Sequence, residues 1–274
     1  MTAPIVVATD LTARSDRPLD RAVMLAEQRG TRLVVVHALE ERADMDLRKQ
    51  MQRAREALER MIEDFSVPFE LVIERGSAPQ VLADVVEARQ AALVVVGAAR
   101  YNNVSDFFLG TAVDYLVRRA KAPVLVVKER PRLPYDGIVV GTDFSERSAR
   151  AVIAAAELFD VPVTLVNAFG RPFPRRLGED ASLELGKQWS HEEMARFLAT
   201  PALAPWLGRI THHSVESDPA GAIETFAKLY RSPVAVVGSH GWGSIAQVLL
   251  GSRASDLLTA ISHDILVVRD GLNA

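Results

Sequence analysis

The sequence predicts an α/β protein of two tandem, doubly wound domains, each a five-stranded parallel sheet with helices on both faces. Three observations carry that expectation. The first is an internal duplication. Ile5, Val6, Val7, Thr9, Asp10, Arg14 and Ser15 recur, in the same order and spacing, as Ile138, Val139, Val140, Thr142, Asp143, Arg147 and Ser148. The second is a set of short Val/Ile/Leu runs with little polar alternation, the pattern of strands covered on both faces. The third is the alternation of those runs with longer helical stretches, which implies crossover connections and a parallel sheet.

The order of parts is the same in both halves. In the first, strands at Ile5–Ala8, Leu33–Ala38, Ala92–Gly97 and Pro123–Val127 alternate with helical stretches at Leu19–Arg29, Met45–Asp64 and Pro79–Arg89. In the second, Ile138–Gly141, Thr164–Ala168, Val234–Gly238 and Asp264–Val268 answer those strands, and Ser148–Phe159, Ser190–Leu198 and Ala254–Ile261 read as helices. Glu129–Asp136 holds two prolines and several charges, which disfavour regular structure and mark a short link between domains at 1–130 and 135–274. Gly170–Gly186, with Pro172, Pro174 and several charges, is expected to be a mobile surface loop. A second interruption is expected at Thr200–Trp206.

Composition narrows the function. At 274 residues, 49% hydrophobic and 24% charged, the chain has material for a substantial soluble core. A net charge of −3 gives no electrostatic reason to expect nucleic acid or an anionic membrane as partner. Cysteine is absent, which excludes disulfides and thiol catalysis. Met1–Val7 has neither a basic region nor a long apolar one, and no run approaches eighteen apolar residues, so a cytoplasmic protein is expected.

The feature that points most directly to chemistry is Gly238, two residues, Gly241, nine residues, then Gly251 and Ser252. It begins where the Pro233–Val237 run ends and closes where a helix is expected. Glycines there let the backbone turn tightly and approach a ligand, while Gly251 and Ser252 offer N–H groups and a hydroxyl at a helix N-terminus. That arrangement suits phosphate, and no G-x-x-x-x-G-K-[ST] loop occurs to compete with it. Turn glycines and an ordinary helix cap are the plainer reading of the same residues.

This spacing, in this strand order, resembles the ATP-binding branch of the universal stress protein family, and the resemblance covers essentially the whole chain. It implies two Rossmann-like domains of the adenine nucleotide alpha hydrolase-like kind. It also implies ATP, with or without Mg2+, as ligand, and a regulatory role in stress response. Residue by residue, it implies phosphate contacts at Gly238, Gly241, Gly251 and Ser252. A carboxylate at the nucleoside end would be Asp143, and a backbone contact to adenine would be Ala168. Asp143 also reads as a helix N-cap, although Ser145 in the second half and Thr12 in the first sit nearer the cap position. The corresponding residues of the first half are Asp10, Ala38, Gly97, Gly110 and Thr111, but the inner glycine is replaced by Arg100. A side chain there obstructs close approach to phosphate, whereas its guanidinium could pair with one; a weakened or lost site is favoured.

The resemblance further implies that the last strands, Val124–Val127 and Ile265–Val268, pair within one chain as a pseudo-dimer, or across a homodimer. An unidentified protein partner is expected, with no nucleic acid and no membrane. No catalytic group and no metal site stand out. Thr211, His212 and His213 lack a third ligand close in sequence, and adjacent strand residues face opposite ways. Met45, Met51 and Met61 read as packing, and His240 is assigned no chemistry. Two alternatives remain open: a nucleotide-independent interaction module, and a slow adenine-nucleotide hydrolase.

Overall fold

The apolar runs form the centre of each half in the computed structural model, which describes residues 2–13, 15–39, 46–63, 65–98, 108–238 and 257–269. The chain divides between Pro134 and Tyr135 into two compact units. The first contains β1 (Ile5–Ala8), α1 (Asp16–Arg29), β2 (Leu33–Leu39), α2 (Leu47–Ile62), β3 (Phe69–Arg75), α3 (Ala78–Arg89), β4 (Leu93–Gly97), α4 (Phe108–Arg119) and β5 (Val124–Val127). Its strands lie in the order β3-β2-β1-β4-β5, all parallel. The second contains β6 (Gly137–Gly141), α5 (Glu146–Leu158), β7 (Val163–Phe169), α6 (Pro174–Leu177), α7 (Glu179–Leu198), a 3-10 helix (Pro201–Arg209), β8 (Ile210–Glu216), α8 (Pro219–Ala227), β9 (Pro233–Gly238) and β10 (Asp264–Val268). Its order, β8-β7-β6-β9-β10, is the same topology, again all parallel.

Each half thus has the five-stranded parallel sheet that the sequence predicts. Ile5, Val6 and Val7 of β1, and Ile138, Val139 and Val140 of β6, have no exposed surface. Total burial is why these strands read as continuous apolar runs instead of alternating ones. The edge strands β3 and β8 carry polar residues at many positions, so no run marks them. Among the described residues, no helix is long and apolar enough to cross a membrane.

Gly170–Gly186 is not the loop its composition suggests. α6 occupies Pro174–Leu177, and α7 begins at Glu179 and runs unbroken to Leu198. Gly186 lies inside that helix, where an added Cβ would stand 2.8 Å from the Gly170 carbonyl oxygen. Glycine is needed there for close packing, not for a turn. Small residues continue down the same face: the Ser182 hydroxyl donates to the Pro172 carbonyl at 2.6 Å, and the Ser190 hydroxyl reaches Asn167 Oδ1 at 2.7 Å. The interruption expected near Thr200 takes regular form as the 3-10 helix. Its last residue, Arg209, donates to the carbonyls of Ala156, Phe159 and Val161 and so fixes the exit of α5.

The start of β6 has a similar constraint. Asp136 accepts from the backbone N–H groups of Arg231 and Ser232 at 3.0 and 2.9 Å, drawing the Tyr230 turn against the strand. The Tyr230 ring lies across Gly137, 2.2 Å from where a Cβ would stand, and its hydroxyl bonds Thr164 Oγ1 at 2.7 Å. Gly137→Ala is therefore expected to cost about 1–3 kcal/mol, the range for overpacking, and to lower Tm. Gly208→Ala, where nothing described lies within 4 Å, should leave Tm unchanged. Equal melting curves for Gly137→Ala and the natural chain would refute the packing argument.

Candidate functional site

The carboxyl ends of the central strands bring several sequence-predicted residues onto shared levels. In the second unit, Gly141 pairs with Val166, so Asp143 and Ala168 each lie two residues past the same rung. Val140 pairs with Val236, which sets Thr142 level with Gly238, the last residue of β9. Since β6 lies between β7 and β9, these residues flank the point where the winding of the sheet reverses. Open α/β sheets bind ligands at that point. The first unit repeats the arrangement. Ala8 pairs with Val36 and Val7 with Val95, which sets Asp10 level with Ala38 and Thr9 level with Gly97.

The turn that presents each aspartate is the same in both halves. Leu11 and Phe144, immediately after Asp10 and Asp143, have φ of 60° and 64°. Left-handed backbone is uncommon for bulky side chains and persists only where neighbours enforce it. Here the enforcement comes from hydroxyls. Thr9 Oγ1 accepts the Leu11 N–H at 3.1 Å, and Thr142 Oγ1 accepts the Phe144 N–H at 2.9 Å. One residue on, Asp10 Oδ1 accepts the Thr12 N–H at 2.9 Å and Asp143 Oδ1 accepts the Ser145 N–H at 3.1 Å. Hydroxyls of Thr12 and Ser145 donate to the same carboxylate oxygens at 2.8 and 2.6 Å.

A further pair of residues, not identified from sequence, secures the strand ends. Asn167 Nδ2 donates to the Thr142 carbonyl at 2.9 Å, and in the first unit His37 Nδ1 stands 2.9 Å from the Thr9 carbonyl, a contact that puts the proton on Nδ1. The two occupy equivalent places in the duplicated strands. Thr, Asn and His at those places were the available signal, but a side chain bonded to its neighbour's backbone has no spacing motif. Ser145 is the N-cap of α5, its hydroxyl accepting from the Ser148 N–H at 3.3 Å. In the first half the N-cap is Ser15 rather than Thr12, because α1 starts later, at Asp16.

Gly110 and Thr111 fall in the first turn of α4. Gly241, Gly251, Ser252, His240 and Arg100 lie outside the described residues. A Cβ added to Gly238 would meet, among the described residues, only the Arg147 carbonyl oxygen, at 3.9 Å. His213 stacks on Phe226 with ring centroids 4.4 Å apart, and no cluster of three metal-ligating side chains occurs among the described residues.

Partial desolvation by itself raises the Asp10 carboxyl, but hydrogen bonds from the Ser15 hydroxyl and from Thr12 outweigh it and hold the group below its ordinary value. A depressed carboxyl stabilises the fold fully above its unfolded value of about 3.9 and loses that contribution as pH falls through the folded value. Asp10→Asn should therefore lower Tm at neutral pH, and its difference from the natural chain should shrink as the pH approaches 3. A difference independent of pH would show that the carboxylate's charge plays no part in holding the turn.

The Universal stress protein family model matches residues 1–128 and again 134–269. The universal stress protein Rv1996 of Mycobacterium tuberculosis is 29% identical over 196 residues, a match covering 66% of this chain and 60% of that relative's length. The crystal structure of a universal stress protein from Archaeoglobus fulgidus is similar over 97% of this chain and 96% of its own, with a TM-score of 0.68 at 16% identity, a likeness of fold. A universal stress protein solved in complex with cAMP covers 47% of this chain at 22% identity, with a TM-score of 0.39. The chain belongs to the universal stress protein family, whose domain it carries twice.

Proposed function

We propose that the second half binds an adenine nucleotide, ATP with or without Mg2+, and that occupancy serves a regulatory role in stress response. The observation that supports this most is the shared level of Asp143 and Ala168 at the carboxyl ends of β6 and β7, with Gly238 ending the neighbouring β9. The residues present fit the ligand. Asp143 offers a carboxylate for ribose hydroxyls or an adenine amino group. A Cβ at Gly238 would meet no described atom closer than 3.9 Å, and a glycine at this strand end suits close approach of a ligand. Gly241, Gly251 and Ser252 complete the phosphate end in this reading.

The first half presents the same turn, but Arg100 replaces the inner glycine. That substitution favours a nucleotide-independent interaction role for this half, with a protein as partner. Hydrolysis, if it occurs, is slow in this reading, because Asp143 belongs to the nucleoside end and not the phosphate end.

Denaturing freshly purified protein and counting released nucleotide tests the reading. About one ATP or ADP per chain is expected; about two would show that Arg100 is tolerated. No release, with no uptake of added ATP by calorimetry, would overturn it in favour of the interaction module. Gly251→Leu should abolish ATP binding while leaving Tm unchanged, and undiminished affinity in that variant would remove Gly251 from the site.

A further inference from the structure

The two halves repeat one topology, yet one pair of equivalent helices differs in the sign of its charge. α2 links β2 to β3, and α7 runs between β7 and β8. Each packs on an edge strand of its own unit and on the strand beside it. Over α2, five arginine and lysine residues stand against two glutamates, a net of +3. Over α7, five acidic residues stand against one lysine and one arginine, a net of −3 with His191 neutral. Helix stability does not account for the charge of α2. Its first turn holds Arg48 and Lys49 and no acidic residue, which sets two cations against the positive end of the helix dipole. The Asp46 cap, which accepts the Arg48 N–H at 3.0 Å, offsets part of that repulsion.

On each helix the charge flanks an exposed apolar residue. Met51, 39% exposed, has Leu47 and Arg48 four and three residues before it and Arg55 four after. Trp189, 48% exposed, has Leu185 four before it and Glu192 and Glu193 three and four after. Residues at those spacings are neighbours on a helix surface. The two patches therefore match in layout, Leu and Met beside cations on one, Leu and Trp beside anions on the other. Ion pairs within each helix do not exhaust these charges. Arg55 reaches Glu59 at 3.8 Å, and Arg196 is shared between Glu192, at 3.8 Å, and Glu193. Pairs this exposed contribute little and exchange readily for another partner.

We propose that the α2 face of one copy of this chain docks on the α7 face of a second copy. Met51 then packs on Trp189 of the second copy, a sulfur–aromatic contact, while Arg48 and Arg55 meet Glu192 and Glu193. The occupant is another copy because the chain itself carries both members of the pair, on helices at equivalent places in its duplicated fold. Opposite charge favours the mixed contact and penalises α2 on α2 or α7 on α7. Because the two faces differ, the contact is heterologous, and every copy offers one face of each sign. It uses none of the residues assigned to the nucleotide, so association and nucleotide binding are separate readouts.

Sedimentation of the full chain tests this. In low salt the natural chain should show a mass above one chain that rises with concentration. In about 1 M salt, where the screening length is about 3 Å, it should dissociate. Two variants reverse one face each, Arg48→Glu with Arg55→Glu on α2, and Glu192→Lys with Glu193→Lys on α7. All four side chains are exposed, so both variants should keep the natural Tm. Each alone should sediment as a single chain, and an equimolar mixture of the two should associate, because every acidic face then meets a basic one. Trp189→Ser, which changes no charge, should weaken association about tenfold, the loss of one aromatic anchor. A natural chain that stays single at every concentration in low salt overturns the proposal and leaves the two faces to a foreign protein or to solvent. Association that survives either reversal overturns it by assigning the contact to another surface. Failure of the mixture to associate, with both variants folded, overturns it as well.

Discussion

A strand buried on both faces can meet a ligand only at its ends. That constraint organises each half of this protein. β1 and β6 expose no side chain along their apolar runs, so helices must cover the sheet on both sides, and each parallel connection must cross over to do it. Crossovers return the chain to one end of the sheet with the carboxyl ends of all five strands gathered together. Loops there are free of the covering helices, and the reversal of winding at the central strand opens a crevice between them.

At that crevice the chain tolerates local strain to place a carboxylate. Leu11 and Phe144 are left-handed because the hydroxyl of a threonine immediately after the strand takes the N–H two residues on. The aspartate between them then caps the next turn, and helix α1 or α5 begins. Asn167 and His37 hold the threonine carbonyl from the neighbouring strand, so the turn is fastened from both directions. In the second half this fastening extends outward, from Asn167 to Ser190 on α7 and on to Ser214 of β8. Networks of satisfied buried polar groups of this kind specify one arrangement of a core rather than many.

Much of this was legible in the sequence because it depends on side-chain type at fixed spacing. Runs of Val, Ile and Leu revealed four of the five strands of each half, and the repeat of Thr9–Asp10 as Thr142–Asp143 marked the turn. The first half of α7, before Ser190, was illegible for a physical reason. Its buried face begins with Ser182, Gly186 and Ser190 and becomes apolar only at Met194 and Phe197, so most of the helix shows no hydrophobic stripe. Gly186, taken as the end of the expected loop, is there because another backbone passes close by. β3 and β8, exposed edges with polar residues, gave no run to find. Asn167 and His37 were missed because hydrogen bonds to a neighbour's backbone leave no pattern in the order of residues.

The duplicated turn has a consequence for how such a chain can change over time. Leu11 sits in the same strained geometry as Phe144, although the glycine loop of its own half now contains Arg100. Geometry needed to pass from strand to helix is under a folding requirement, and that requirement persists whether or not anything binds beside it. A tandem protein of this design can therefore let one copy drift toward a new task while its scaffold is preserved, with the other copy retaining the inherited one.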